Sequence, residues 1–392
     1  MKRYHVISLI LLLTTSNLWG QESIRVVLDS IAAHNLQLQA LRHEQQAVVY
    51  DMKAENRPDG PSVEYSPFYE KGFTGVAESE LIVSEEFDFP TRYAARSKQI
   101  RLQQDVHELQ YRQARREVLL QAQQLCFDLV RTNQKLAMVR HRLADSESML
   151  QLFEKRMEAG DANILELNKV KLDRMTALKQ VSQTENEQMR LLDELRQLNG
   201  GVEVMVNDTI YPEQPLDADF ESFLALALAA DATVLTAQAD ARASQHEVSV
   251  SRQEWLPSLT VGYRRNTDHH EAVNGVVVGA TFPLFATGAK VKAAKQRQLS
   301  AQLELEQVQL SAEQALRTRY DELKSLHRVL DHSDVEMLQQ TLTLLGKALQ
   351  HGEISALQYY TETASIYEEL ESHIEVHCES AKMYAELYSF RL

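Results

Sequence analysis

Residues 76–90 read Val-Ala-Glu-Ser-Glu-Leu-Ile-Val-Ser-Glu-Glu-Phe-Asp-Phe-Pro. The odd positions (Ala77, Ser79, Leu81, Val83, Glu85, Phe87, Phe89) are mostly apolar. The even ones (Val76, Glu78, Glu80, Ile82, Ser84, Glu86, Asp88) are strongly acidic. A period of two is the signature of a strand with two unlike faces. Three further segments follow the pattern: Val63, Tyr65 and Tyr69; Leu259, Val261 and Tyr263 against Thr260, Gly262 and Arg264; and Val276, Val278, Ala280 and Phe282 against Gly275, Val277, Gly279 and Thr281. Each is expected to run about ten residues, the length a tilted strand needs to cross a bilayer. Glu64, Glu78, Glu80, Glu86 and Asp88 then share one face, with Arg264 as its main basic residue. In a barrel that face lines the water-filled lumen. Glu86 and Asp88, beside Pro90, also fit a second reading, at the rim outside the barrel.

Outward from this stretch the chain repeats itself. Glycine and proline, the strongest breakers of regular structure, cluster at Pro58–Pro90 and again at Pro257–Gly288. A long breaker-free run follows each cluster. Aligning Pro90 with Pro283 and Gly160 with Gly352 needs offsets of 193 and 192 residues, an internal duplication of about half the chain. Six runs, 21–57, 91–159, 161–199, 216–256, 289–345 and 353–392, lack both breakers. In 91–159 apolar residues recur at helical spacing from Val106 through Leu129 to Phe153, between good helix formers. As one helix, its 69 residues reach about 100 Å, which suggests a coiled-coil-like rod. The expected organisation is a signal peptide over 1–20, a first repeat over 21–199 with a β-hairpin at 61–90, a connection at 200–215, and a second repeat over 216–392 with a β-hairpin at 257–284. Tip turns fall near 160 and 352. The connection is expected to form a loop with a short strand.

Lys2 and Arg3 precede an apolar run from Val6 to Leu13, the layout of a secretory signal peptide and too short for a spanning helix. No other segment has enough uninterrupted apolar residues for a helical span, but a β-barrel hides from such averages. The net charge of −15 argues against a nucleic-acid partner. Residues 63–93 and 255–285 hold 11 of the 27 aromatics, where even spreading gives about four; interface girdles of membrane barrels look like this. Four strands cannot close a barrel, and open edges are not tolerated in lipid, so several chains must share one barrel.

The chain resembles the TolC-like outer-membrane efflux family nearly end to end. The resemblance rests on the duplication, on Trp255-Leu256-Pro257-Ser258-Leu259 entering a strand, and on Phe89-Pro90 and Phe282-Pro283 closing each strand pair. It rests also on Arg156-Met157-Glu158-Ala159-Gly160 and Leu349-Gln350-His351-Gly352, each followed five residues on by Leu165 or Leu357. The implied fold is mainly α with a small β part. Duplicated long helical hairpins form an α-barrel, and four transmembrane strands per chain join a trimeric twelve-stranded β-barrel. The implied function is an outer-membrane channel, a passive exit duct coupled through a periplasmic adaptor (membrane fusion protein) to an inner-membrane pump, which together choose the cargo. Outer-membrane lipid surrounds the barrel, and a large helical part occupies the periplasm. Gly160, Leu165, Glu166, Gly352 and Leu357 are implied to form the periplasmic tip that meets the adaptor. Glu166 matches a family aspartate of a closing network, whereas Leu349 and Ile354 replace the family's tyrosine and arginine at the second tip.

No catalytic constellation stands out: there is no glycine-rich phosphate loop, no His-Glu-x-x-His and no Cys-x-x-Cys. No cofactor or metal is expected; His269-His270, with Asp268 and Glu271, read as a polar loop between strands. Glu185 and Glu187 read as solvated helix faces. Cys126 and Cys378 read as small buried residues. With the two tips level they stand eight residues, about 12 Å, apart along the rod, too far to bond. The rival to an exit duct is a periplasmic coiled-coil structural or adaptor protein. That reading leaves two aromatic strand pairs at matching positions unexplained.

Overall fold

The computed structural model describes residues 23–268, 271–285 and 287–392. The expected signal peptide and the His269-His270 pair lie outside them. A helix over 23–34 (α1) is followed by α2 (Leu36–Glu55), β1 (Ser62–Phe68), β2 (Glu78–Asp88), α3 (Pro90–Glu158), α4 (Ile164–Leu198), α5 (Phe220–Ala230), α6 (Ala232–Gln253), β3 (Ser258–Thr267), β4 (Ala272–Thr281), α7 (Thr287–Asp331), α8 (Val335–His351) and α9 (Ala356–Leu387). A short 3-10 turn, Ser389–Arg391, ends the chain. None of the described helices is by itself long and apolar enough to cross a membrane. α3 keeps all 69 residues unbroken. Proline opens it, where the missing N–H costs nothing.

Three expected single helices are each cut in two, although no glycine or proline marks the cut. The breaks are at Asn35, Asp231 and 332–334. Each is made by a short polar side chain that caps the next helix. The Asn35 carboxamide oxygen accepts from the Leu38 N–H at 2.9 Å, and Asp231 accepts from the Thr233 and Val234 N–H groups. Asp334 accepts from the Met337 N–H at 2.9 Å. Each such cap is worth about 1 kcal/mol, and these side chains compete with the backbone of a continuing helix. At Asp231 the axis bends by 51°.

The chain divides into two compact units. One holds the described residues up to Gln39 together with Ala114–Ala227 and Glu313–Leu392; the other holds Ala40–Gln113 and Leu228–Ala312. In the first unit, an aromatic cluster of Phe223, Tyr320, Leu323, Leu387 and Tyr388 ties α5, α7 and α9 together. The connection 200–215 contains no strand. Its carbonyls are taken instead by side chains of α3. Asn133 donates to the Val206 and Asp208 oxygens at 3.1 and 2.9 Å, and Gln134 to the Thr209 oxygen at 2.7 Å. An extended strap satisfied by side chains needs no partner strand. In the second unit, Asn56 donates to the Tyr93 oxygen and the Ser97 hydroxyl, and Arg297 pairs with Glu247 at 2.7 Å.

Cys126 and Cys378 are free and buried. The eight-residue offset is overturned: the Cys378 Sγ lies 3.7 Å from the Phe127 oxygen, one residue from Cys126. Residue counts from the tips therefore do not give the level of α9 against α3 here, although the two cysteines are, as expected, not bonded to each other. Burial pushes the Cys126 thiol up to about 12, which keeps it protonated and inert. A thiol reagent is expected to modify neither cysteine in the folded protein and both after denaturation, as read by intact mass. Rapid native labelling contradicts this packing.

Candidate channel wall and tip

The four strands form one antiparallel sheet in the order β1-β2-β3-β4. β1 is seven residues, shorter than the expected ten, because the loop after it takes over at Tyr69 and turns through Gly72 and Gly75, both at positive φ. β2, β3 and β4 have 11, 10 and 10 residues. The register decides the faces. Glu64 stands opposite Ile82, which stands opposite Arg264 and then Gly275; Glu80 stands opposite Ser66 and Asn266. Glu64, Glu78, Glu80, Glu86, Asp88 and Arg264 thus share one face. The other carries Val63, Tyr65, Leu81, Val83, Val261, Tyr263, Val276 and Val278. Val276 and Val278 are each nearly four-fifths exposed in the single chain. An apolar face left open beside an acidic one is a wall between lipid and water. β1 and β4 are edges, and their unpaired backbone groups each cost several kcal/mol in hydrocarbon unless another chain pairs with them.

The six charges do not remain equal. Arg264 forms an ion pair with Glu80 and also donates to Asn266 at 3.2 Å. Ser258 donates to Glu86. Asp88 is bound by Arg92 and by Arg96, the latter at 2.6 Å, at the junction of β2 with α3. For Asp88 the rim reading is therefore favoured. Glu64 and Glu78 are exposed, with no ion pair among the described residues.

At the other end of the helices, two glycine turns close the hairpins. Gly160 has φ +80° and Gly352 φ +75°, the left-handed conformation that ends a helix. The Asp161 N–H donates to the Arg156 oxygen at 2.8 Å, and the Glu353 N–H to the Ala348 oxygen at 2.9 Å, recovering carbonyls that would otherwise lack donors. Asn163 then caps α4. Its side chain accepts from the Leu165 and Glu166 N–H groups, while the Glu166 carboxylate accepts from the Asn163 N–H at 3.0 Å. Glu166 therefore has a local task, the capping box. Leu165 and Leu357, in the first turns of α4 and α9, are 76% and 69% exposed.

Leu349 is fully buried among Met149, Phe153, Val170 and Tyr360, and Ile354 packs against the same cluster. The departures from the family pattern at the second tip thus put apolar packing where a polar contact was implied. One residue that sequence reading gave no role is Arg156. Its Nη2 donates to the Gln350 oxygen at 2.8 Å and lies 3.3 Å from the Leu349 oxygen, tying the two tips at the C-terminus of α8. Arg142 adds a second tie, to Asp173 at 2.6 Å and over the Tyr367 ring at 4.9 Å.

On α4, facing the middle of α3, Glu187 is not simply solvated, unlike the half-exposed pair Arg140–Glu185. Glu187 holds Arg131 at 2.6 Å, which also reaches Glu375 at 3.0 Å and Asp128 at 3.5 Å; Lys382 completes the group at 2.7 Å from Asp128. These charges join α3, α4 and α9. Arg131→Ala leaves Glu187 and Glu375 without their partner, while Asp128 keeps Lys382, and is expected to cost about 2 kcal/mol in chemical unfolding, discounted for partial exposure. An unchanged midpoint contradicts the network.

A cavity of about 960 Å³ between α3, α8 and α9 holds His141, His373 and His377. The Tyr211 ring packs at a tilt against His377, with centroids 4.6 Å apart, and His373 Nδ1 lies 2.9 Å from the Ser333 hydroxyl at the α7–α8 break. Burial lowers the pKa of both His373 and His377. Neighbouring His373 and His327 lower His377 further, whereas Glu369 opposes the shift at His373. The fold thus favours the neutral rings. Their contribution is complete above the unfolded value, about 6.5, and is lost as the pH falls toward the folded values. Asp145, whose pKa burial raises, acts in the opposite direction. The thermal midpoint is expected to fall between pH 7.5 and 5.5, and less steeply in His377→Phe. Equal slopes contradict the assignment.

Such a sheet, joined to long capped hairpins, defines a channel-forming outer-membrane protein. The model of the outer membrane efflux protein family matches residues 27–201 and again 223–389, and the chain belongs to that family. Its place is the outer membrane, with a large periplasmic helical part, and it is an efflux-channel component. Among solved structures, CusC aligns with a TM-score of 0.80 at 17% identity, over 94% of this chain and 92% of CusC. VceC of Vibrio cholerae gives 0.74 at 14%, over 95% and 98%. The open-state MtrE channel of Neisseria gonorrhoeae gives 0.69 at 14%, over 94% and 88%. These likenesses concern the fold. No curated protein sequence matches significantly.

Proposed function

We propose that three copies of this chain form one passive exit duct, in which the β1 edge of each copy pairs with the β4 edge of the next. A periplasmic adaptor meets the tip around Gly160, Leu165, Gly352 and Leu357, and an inner-membrane pump supplies both cargo and energy, so the chain itself performs no chemistry. Glu64, Glu78, Glu80, Glu86 and Arg264 face the lumen, and Val63, Tyr65, Val276 and Val278 face lipid. The observation that carries this reading is the single sheet with two unlike faces and two unpaired edges. Exposed Leu165 and Leu357 beside the glycine turns offer the adaptor apolar contact. Glu166 serves its capping box first, and a share in tip closure comes through that turn. Purified protein in a planar bilayer is expected to give discrete conductance steps. A protein that inserts without conducting, or never inserts, contradicts the duct.

A further inference from the structure

The apolar face of the sheet carries two charges, and they stand at opposite ends. One row across the sheet reads Tyr65, Leu81, Arg265, Asn274. Two rows along, another reads Glu85, Val261, Val278. Strands continue into helices beyond Asp88, Ser258 and Thr281, whereas β1 is followed directly by β2, and β3 by β4, at the far ends. With the helices periplasmic, Arg265 lies two residues from the outer end of β3 and Glu85 near the inner end. Arg265 is exposed and forms no ion pair among the described residues. The nearest carboxylate on its face of the sheet is Glu85, four residues along β2 from Leu81, or about 14 Å. The loop acids Asp268 and Glu271 lie beyond Thr267, farther out than the row. Beside Arg265, Tyr263 donates to Asn274, so a phenol and an amide at the same level are already fixed by each other.

An unpaired guanidinium on a lipid-facing wall costs about 2–4 kcal/mol at mid-bilayer but 0–1 near an interface, where its side chain can reach the headgroups. There its planar fork matches a phosphate, with two parallel N–H donors. We propose that Arg265, with Tyr65 in the same row, binds the phosphate of a phosphorylated glycolipid in the outer leaflet, once per copy. Negative Glu85 at the opposite end keeps the inner rim from competing. The inference rests on the assignment of lumen and lipid faces made above.

Detergent-purified complex is incubated with bis-phosphorylated lipid A, its dephosphorylated form, or inorganic phosphate, and retained adducts are counted by native mass spectrometry. Wild type is expected to retain lipid A and not the dephosphorylated form, with no competition from inorganic phosphate. Arg265→Gln is expected to lose about tenfold in retention, the scale of one charge-assisted contact, and Arg265→Lys less. Arg264→Gln, on the opposite face, is expected to retain lipid A as wild type does. Unheated gel mobility verifies that each variant assembles, and Arg265→Lys carries the test if Arg265→Gln fails to. Equal retention by Arg265→Gln, equal binding of the dephosphorylated lipid, or displacement by inorganic phosphate overturns the lipid site alone. If Arg264→Gln loses the lipid and Arg265→Gln keeps it, the two faces are exchanged and the lumen assignment fails with it.

Discussion

Gly160→Val and Gly352→Val are each expected to leave the complex assembled in the outer membrane and to abolish export. Both glycines hold a left-handed conformation, and no heavy atom lies within 4 Å of a Cβ built on either. The obstacle is therefore backbone conformation rather than space. A left-handed L-residue costs roughly 1–2 kcal/mol, and a β-branched one resists it further. That sum is too small to unfold long helices packed on buried Leu349, Val170 and Phe153. It is enough to rebuild one turn. The rebuilt turn carries Asn163 and Glu166 at the first tip and Ser355 at the second, so the first turns of α4 and α9 lose their caps. Leu165 and Leu357 then no longer present one surface. Substrate accumulation in a strain lacking the native gene reads export, and unheated gel mobility reads assembly. Export surviving both changes contradicts the tip assignment; loss of assembly contradicts the claim that the turns act locally.

The second large effect concerns ion selectivity. In the proposed three-copy duct, Glu64 and Glu78, which form no ion pair among the described residues, surround one water-filled exit, and rings of carboxylates attract cations. A reversal potential under a salt gradient is expected to show cation preference. Glu78→Gln removes one charge per copy and lowers the preference. Glu80→Gln removes the same charge but also frees Arg264 from its ion pair, so a mobile cation replaces a neutral pair at that level. Arg264→Gln frees Glu80 instead and raises the preference. The opposite signs across one ion pair separate a lumen-facing pair from a general loss of charge. Asp88→Asn is expected to change selectivity little, because Asp88 sits with Arg92 and Arg96 at the junction of β2 with α3, at the rim rather than in the lumen. An anion-selective pore, or one indifferent to both partners, contradicts the assignment of faces.

Much of this was legible in the chain itself. The period of two in 76–90 placed four acids on one face, the same pattern in the neighbouring strands added Glu64 and Arg264, and the register puts all six there. β4 is the instructive case. Its odd positions join the even positions of β3, because Ser258 stands opposite Thr281. The alternation of Val276, Val278 and Ala280 already marked the apolar side without that knowledge. Gly160 and Gly352 also stood out, since a glycine ending a long breaker-free run is the ordinary sign of a helix terminus.

The helix breaks at Asn35, Asp231 and 332–334 carry neither glycine nor proline, so the pattern of breakers does not show them. Asparagine and aspartate interrupt a helix by capping the next one, and inside a polar, helix-favouring run they give no compositional contrast. The available signal was a lone Asn or Asp directly before a renewed apolar pattern. The relation of the two cysteines failed for another reason. Counting residues from each tip presumes that paired helices climb equally per residue, and nothing in a one-dimensional pattern fixes that; the two cysteines are nevertheless free, as expected. Arg156, and the group around Arg131, join segments up to 254 residues apart, so their partners emerge only from the fold.

The central claim is that several copies of this chain share one barrel in the outer membrane, because four strands with open edges cannot cross lipid alone. The most direct measurement is the mass of the complex extracted from isolated outer membranes in mild detergent. Three copies per complex in the outer-membrane fraction, dissociating to single chains on heating, is the predicted result. A single chain in the soluble periplasmic fraction contradicts the account.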